Sequence, residues 1–294
     1  MLSGVFTALP TPFLENGQLD TVSLQKLLSA QLKAGVHGIV LLGTTAETPT
    51  LTEKEKQTLL DTCVPLLKGK IQLIIGAGTN NTVSTLENLH RVATYQPDAA
   101  LVVTPYYNKP NPAGLIRHYQ TAAQAGIPLV LYHIPGRTGL KLSNAVLQQI
   151  LEEVPQIQAI KESDYDISHV TDTAIAYQKR IAYLCGNDDL FPHFLALQGA
   201  GIISAAASVL APGFVKIYNL FKAGKTTEAF AVFAHIYPLI KACYLETNPT
   251  CIKYLLAKRG FGTNTVRAPL GEISAENRKK LDELLAKTNQ EFLI

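Results

Sequence analysis

Residues 157–163 read IQAIKES, an apolar run that ends in a single lysine, Lys161. An ammonium on a strand of a buried sheet is costly unless it is paired or neutralised. At the C-terminal end of a strand in a parallel barrel, it would point into the place where such folds keep their active sites. A desolvated lysine has a depressed pKa, and its free amine can condense with a carbonyl substrate to a Schiff base. The alternative is a strand-end lysine held by a carboxylate and touching only solvent.

Other residues able to do chemistry end similar apolar runs. Thr44 and Thr45 follow GIVLLG, Thr104 with Tyr106 and Tyr107 follows AALVV, and Tyr132 with His133 follows LVL. Gly186-Asn187-Asp188 ends another run, and Ser204 and Ser208 a last one. These groups are a lysine, hydroxyls and phenols that can move protons. A carboxylate cluster, a His pair and a phosphate-binding loop are all missing. The set suits carbonyl chemistry through an imine and does not suit metal-assisted hydrolysis, so no metal and no separate cofactor is expected. Tyr132, expected on the strand beside that of Lys161, is either a proton carrier or a core aromatic with a satisfied hydroxyl. Arg137, in the turn Pro135-Gly136-Arg137-Thr138-Gly139, is either a surface arginine or a fork for a substrate carboxylate.

The elements that must position these groups repeat one grammar. Strand-like runs at 5–11, 38–45, 72–79, 99–107, 128–135, 157–163, 181–188 and 201–208 alternate with helix-period segments at 21–34, 53–67, 83–95, 112–125, 144–152, 167–178, 190–197 and 212–222. Asp20 is placed to cap the first helix and Gly35 to stop it, while Thr52 with Glu55 forms a capping-box signature. Eight alternating units with runs apolar on both faces demand a parallel sheet, and closing it gives a (β/α)8 TIM barrel. An open doubly wound sheet is the alternative, but the GxGxxG turn it usually carries is not present. After Lys222 the pattern is helical only, at 226–244, 250–259 and 274–287. The expected organisation is a catalytic barrel over 1–224 and a C-terminal helical extension over 225–294.

Composition agrees with a globular protein. The chain has 294 residues, of which 47% are hydrophobic and 17% charged, enough to bury a full core. The formal net charge of +3 is spread without a basic block, which argues against nucleic acid as a partner. Cys63, Cys185, Cys243 and Cys251 are far apart, without a CxxC pair or a His at metal-ligand spacing, as buried thiols of a reducing compartment would be. The amino-terminal residues lack a signal-peptide pattern, and no apolar span reaches the ~20 residues of a membrane helix. A cytoplasmic location is expected.

Four motifs, in order and at matching intervals, resemble the dihydrodipicolinate synthase/N-acetylneuraminate lyase family: Gly43-Thr44-Thr45-Ala46-Glu47, Thr104-Pro105-Tyr106-Tyr107-Asn108, Tyr132-His133-Ile134-Pro135-Gly136-Arg137-Thr138-Gly139 and Ile160-Lys161-Glu162. Cys185-Gly186-Asn187-Asp188, Asn248-Pro249 with Lys253, and Arg267-Ala268-Pro269-Leu270 agree. The resemblance covers essentially the whole chain. It implies a class I aldolase-like lyase whose Lys161 condenses with pyruvate, with Tyr132 as proton donor and acceptor. It also implies a hydroxyl relay of Thr44 and Tyr107, the latter reaching over from a neighbouring subunit of a homo-oligomer, a tetramer built as a dimer of dimers. Thr45, Gly186 and the Ile203 backbone would hold substrate, and Arg137 would bind the carboxylate of L-aspartate 4-semialdehyde on the route to lysine.

The sibling reading is a pyruvate lyase acting on a sugar-derived 2-keto acid. A third is a small-molecule sensor on the same barrel, against which the intact set of lysine, tyrosines and threonines speaks. Ala46 stands where the family usually has glycine, and His133 where it usually has asparagine. In lysine-regulated relatives the effector lies near segments matching 48–56, 80–84 and Tyr106. Here Ser84 stands where a carboxylate is usual and Lys56 where a histidine or acidic residue is usual, so weak or absent inhibition by lysine is expected.

Overall fold

A computed structural model describes all residues, 1–294. Eight parallel strands close on themselves in chain order, each followed by helix, as the alternation of the sequence requires. The first half runs β1 (Gly4–Ala8), α1 (Thr21–Lys33), β2 (Gly38–Leu41), α2 (Glu53–Leu67), β3 (Gln72–Gly76), α3 (Thr82–Ala93), β4 (Ala99–Val103) and α4 (Pro112–Ala123). The second runs β5 (Leu129–His133), α5 (Pro135–Thr138), α6 (Asn144–Glu153), β6 (Ile157–Glu162), α7 (Ile167–Tyr177), β7 (Ala182–Cys185), α8 (Phe191–Ala196) and β8 (Gly201–Ser204). Then α9 (Ala207–Lys222), α10 (Thr226–Ala242), α11 (Thr250–Lys258) and α12 (Ala275–Lys287) complete the chain. Contacts divide it into two compact units, Met1–Ser3 with Gln72–Ile202, and Gly4–Ile71 with Ile203–Ile294.

Local chemistry sets the helix starts. The Asp20 side chain accepts the Ser23 N–H at 2.9 Å, and Thr52 with Glu55 forms a full reciprocal capping box. Asn81, Asn111, Ser143 and Asp166 cap α3, α4, α6 and α7 in the same way.

The strands are shorter than their apolar runs. In β2 the pairing stops at Leu41, because Leu42 takes a left-handed φ of 53° and Thr44–Ala46 then coils into a 3-10 turn. Residues 104–107, expected to continue β4, leave it as a loop in which Tyr107 has a φ of 69°. One helix is longer than expected: α9 begins at Ala207 and carries Pro212 across a kink at Leu210. Arg137 lies in a one-turn helix, not an open turn.

All four cysteines are buried, and none is in a disulfide. Burial raises the thiols of Cys63, to about 12, and of Cys251, and holds that of Cys185 well above its ordinary value. No helix is long and apolar enough to cross a membrane.

Candidate active site

In the unit that carries β3 to β7, β5 and β6 pair in parallel with Tyr132 opposite Lys161 and His133 opposite Glu162. Successive side chains on a strand point to opposite faces, so Tyr132 and Lys161 share one side and His133 and Glu162 the other. Lys161 Nζ lies 4.3 Å from the centre of the Tyr132 ring. The lysine is only 7% exposed and has no carboxylate partner, which removes the strand-end salt bridge as its explanation. The neighbouring Glu162 faces away, toward His133 and His169. The Tyr132 ring is buried, yet its hydroxyl makes no hydrogen bond within the chain. Of its two readings, the core aromatic with a satisfied hydroxyl therefore fails. A phenol without a partner beside an amine without a counter-charge is a pair available for proton transfer.

Thr104, directly after β4, is fully buried, with its hydroxyl unpartnered. Beyond it the loop lifts Tyr107 to 90% exposure in a left-handed conformation, a backbone outlier of the kind that clusters at functional sites. Asn108 ties the loop to the segment before α3, its side chain donating to the Asn80 carbonyl at 2.9 Å. Arg137 is exposed on α5, directly after β5. Gly186 has a packing reason to be glycine: a Cβ there would stand 2.0 Å from Ser163 Oγ, and its N–H donates to the Glu162 carbonyl at 2.6 Å. The end of β7 is thereby drawn against the end of β6.

The other unit holds Thr44 and Thr45 in the 3-10 turn after β2. Thr45 is buried, and its hydroxyl oxygen accepts from the Asn248 side chain at 3.0 Å, leaving its own hydrogen for another acceptor. Glu47 closes the turn with a left-handed φ of 55°. Its carboxylate takes the Lys253 ammonium at 2.7 Å and the Arg267 backbone N–H at 2.8 Å. Lys253 lies 4.0 Å from the Phe13 ring centre, and its burial lowers its pKa to about 8. Arg267 stacks on the same ring at 4.3 Å and grips Glu55 with both terminal nitrogens. Ile203, fully buried on β8, offers only backbone. The Thr44 and Tyr107 hydroxyls, like that of Tyr132, make no hydrogen bond within the single chain.

Two arrangements had no signal in the sequence. Lys253 and Glu47 are too far apart in the chain for their charges to suggest a pair. The other is a His pair: the strand ends alone offer none, yet the fold brings His133 and His169, the latter from α7, to a ring separation of 5.4 Å around Glu162. His169 carries no motif, and its place is fixed only when α7 packs back beside β6.

The chain matches the model of the dihydrodipicolinate synthetase family over residues 1–288. It is 36% identical to a 4-hydroxy-tetrahydrodipicolinate synthase of Protochlamydia amoebophila over 296 aligned positions, covering 99% of this chain and 98% of that one. Among solved structures, the 4-hydroxy-tetrahydrodipicolinate synthase of Methylacidiphilum fumariolicum superposes with a TM-score of 0.95 at 31% identity, over 99% of this chain and 97% of that one. A dihydrodipicolinate synthase of Thermotoga maritima superposes at 0.94 with 35% identity, over 98% of each chain.

Proposed function

The chain belongs to the dihydrodipicolinate synthetase family, and from that membership we infer its reaction. It is a lyase that condenses pyruvate with L-aspartate 4-semialdehyde to 4-hydroxy-tetrahydrodipicolinate, in the diaminopimelate route to lysine. The observation that carries the mechanism is the Tyr132–Lys161 pair, a buried amine with no counter-ion beside a phenol with no partner.

In this reading the Lys161 amine adds to the ketone carbon of pyruvate, and loss of water leaves an imine. A proton then leaves the pyruvate methyl group, and the resulting enamine carbon adds to the aldehyde of the second substrate. Attack by that substrate's amine on the imine carbon closes the ring and returns Lys161 free. Tyr132 is the group that gives and takes protons, and the lysine supplies the electron sink, so the reaction calls on no cofactor and no metal.

The remaining roles follow the family motifs. By the family motifs, Thr44 and Tyr107 are the hydroxyls of a proton relay. The Thr45 hydroxyl, with its hydrogen left available by Asn248, holds the pyruvate carboxylate together with the Ile203 backbone, and Gly186 keeps the end of β7 close. Arg137 receives the carboxylate of the semialdehyde as a fork. The exposure and left-handed backbone of Tyr107 support a homo-oligomer, a dimer of dimers, in which this phenol serves the neighbouring subunit. A catalytic barrel over 1–224, a helical extension over 225–294 and a cytoplasmic location complete the reading.

The aldehyde assay tests it. Pyruvate should be consumed when L-aspartate 4-semialdehyde is supplied and spared when sugar-derived aldehydes replace it. Consumption only with the sugar-derived aldehydes would move the chain to the sibling activity.

A further inference from the structure

On the side of β5 and β6 away from Tyr132 and Lys161 lies a group of titratable side chains that the mechanism does not use. Glu162 is completely buried. Its carboxylate lies 2.9 and 3.1 Å from His133 Nδ1, takes the Asp164 N–H at 2.7 Å and stands 3.4 Å from His169 Nε2. The ligating atoms of the three residues fall within 4.8 Å of one another, a spacing a cation could use. The Leu142 amide decides otherwise. Its N–H donates to His133 Nε2 at 3.1 Å, so the proton of the neutral ring sits on Nδ1 and is given to Glu162. A bound cation would need that same Nδ1 lone pair, with the ring proton moved to the nitrogen that already faces a donor. The cluster is therefore a hydrogen-bonded carboxylate and not a metal centre.

Its place in the sheet gives it a use. His133 pairs with Glu162 in register, one step along from Tyr132 with Lys161. We propose that His133 and Glu162, with His169 behind them, form a positioning clamp on the outer side of β5 and β6 that fixes how Tyr132 and Lys161 face each other on the inner side. Rotation or slippage of either strand would break the outer hydrogen bond and misplace the inner pair together, because both sit on adjacent residues of the same two strands. The clamp rests on the reading of Lys161 as the imine-forming residue.

His169 is the titrating member. Its Nε2 is buried and has no well-formed hydrogen bond, so its tie to Glu162 is that of a charge 3.4 Å away. The groups that face it are Glu162 from β6, Asp164 from the loop after β6, His133 from β5 and Lys141 from the segment before α6. Glu162 is the largest influence and, helped by Asp164, raises the His169 pKa above its ordinary value against burial and Lys141. Tyr183 on β7 lies near Glu162, with its hydroxyl given to the Val170 carbonyl. Protonated His169 thus balances the buried carboxylate at low pH, and the balance is lost as pH rises through the raised His169 pKa.

The test is the rate at which pyruvate becomes trapped on Lys161 by borohydride, followed with kcat and KM in His133→Leu, His133→Asn and His169→Gln. His133→Leu should slow trapping and kcat on the order of 10²-fold, the effect of an ångström-scale misplacement, with KM for pyruvate changed little. His133→Asn, whose amide can donate to Glu162 as Nδ1 did, should restore most of the rate. The ratio of wild-type to His169→Gln rate should be greatest near pH 6 and approach one near pH 9. Should His133→Leu fail to fold, His133→Leu/Glu162→Leu removes the buried charge with its partner, and the same loss is expected. A leucine variant as fast as the asparagine one, or a ratio flat across that pH range, overturns the clamp. A wild-type chain that traps no pyruvate on Lys161 would instead overturn the imine reading beneath it.

Discussion

Lys253 and Glu47, 206 residues apart in the chain, meet as a fully buried ion pair with Nζ 2.7 Å from Oε1. The pair fastens α11 to the left-handed residue that ends the Thr44–Ala46 turn, and the second carboxylate oxygen takes the Arg267 backbone N–H. Removing one partner leaves a buried charge unpaired, which costs about 3–5 kcal/mol. Lys253→Met should lose that much stability in urea unfolding, and Lys253→Met/Glu47→Leu should recover most of it. A single variant as stable as wild type would show that the pair does not hold the turn.

The half-buried pair of Glu55 and Arg267 in the same unit gives a pH dependence. Hydrogen bonding to Arg267 is the first cause that holds Glu55 down to about 2, against an ordinary 4.5. A carboxylate with a depressed folded-state pKa contributes stability that is whole above the unfolded value and lost as pH falls through the folded one. The wild-type melting temperature should therefore drop more than that of Glu55→Gln as pH falls from about 4.5 to about 2. Parallel curves for the two proteins would contradict the assignment.

Tyr107 supplies the quaternary prediction. It is 90% exposed in the single chain and makes no hydrogen bond there. Tyr107→Phe should lower kcat by about 10²–10⁴-fold, the usual cost of a missing proton carrier, while leaving stability near wild type. Dilution below the subunit dissociation constant should do the same to wild type. A fully active monomer at nanomolar concentration would refute the shared site.

Inhibition by L-lysine should be weak. Ser84 supplies no charge in the first turn of α3, and Glu53, close to Lys56 in sequence, is already engaged with that lysine at 2.8 Å. A charge-assisted hydrogen bond contributes about 1.5–3 kcal/mol, so its loss lowers affinity by roughly ten- to a hundredfold. Initial rates at saturating pyruvate across a lysine titration check this, with half-inhibition below a millimolar as the contrary result.

The barrel was legible because eight apolar runs alternate with capped helical segments, and periodicity is local information. Lys161 and Tyr132 were legible because a lone amine and a phenol ended such runs, and the register of β5 and β6 brings them together as that placement requires. The strand ends were overextended: apolar runs do not reveal where a left-handed residue such as Leu42 breaks the pairing. His169 with Glu162, Asn248 with Thr45 and Lys253 with Glu47 were out of reach for a different reason. Each depends on two segments separated by other elements, and no composition or spacing rule encodes which helix face arrives beside which strand.

The central claim is that Lys161 carries the covalent chemistry. Incubation with pyruvate and borohydride, followed by peptide mass analysis, tests it most directly. The account predicts a pyruvate-derived mass on the peptide containing Lys161, absent without pyruvate and absent in Lys161→Ala. An unmodified Lys161, with the label on another residue or nowhere, would contradict it.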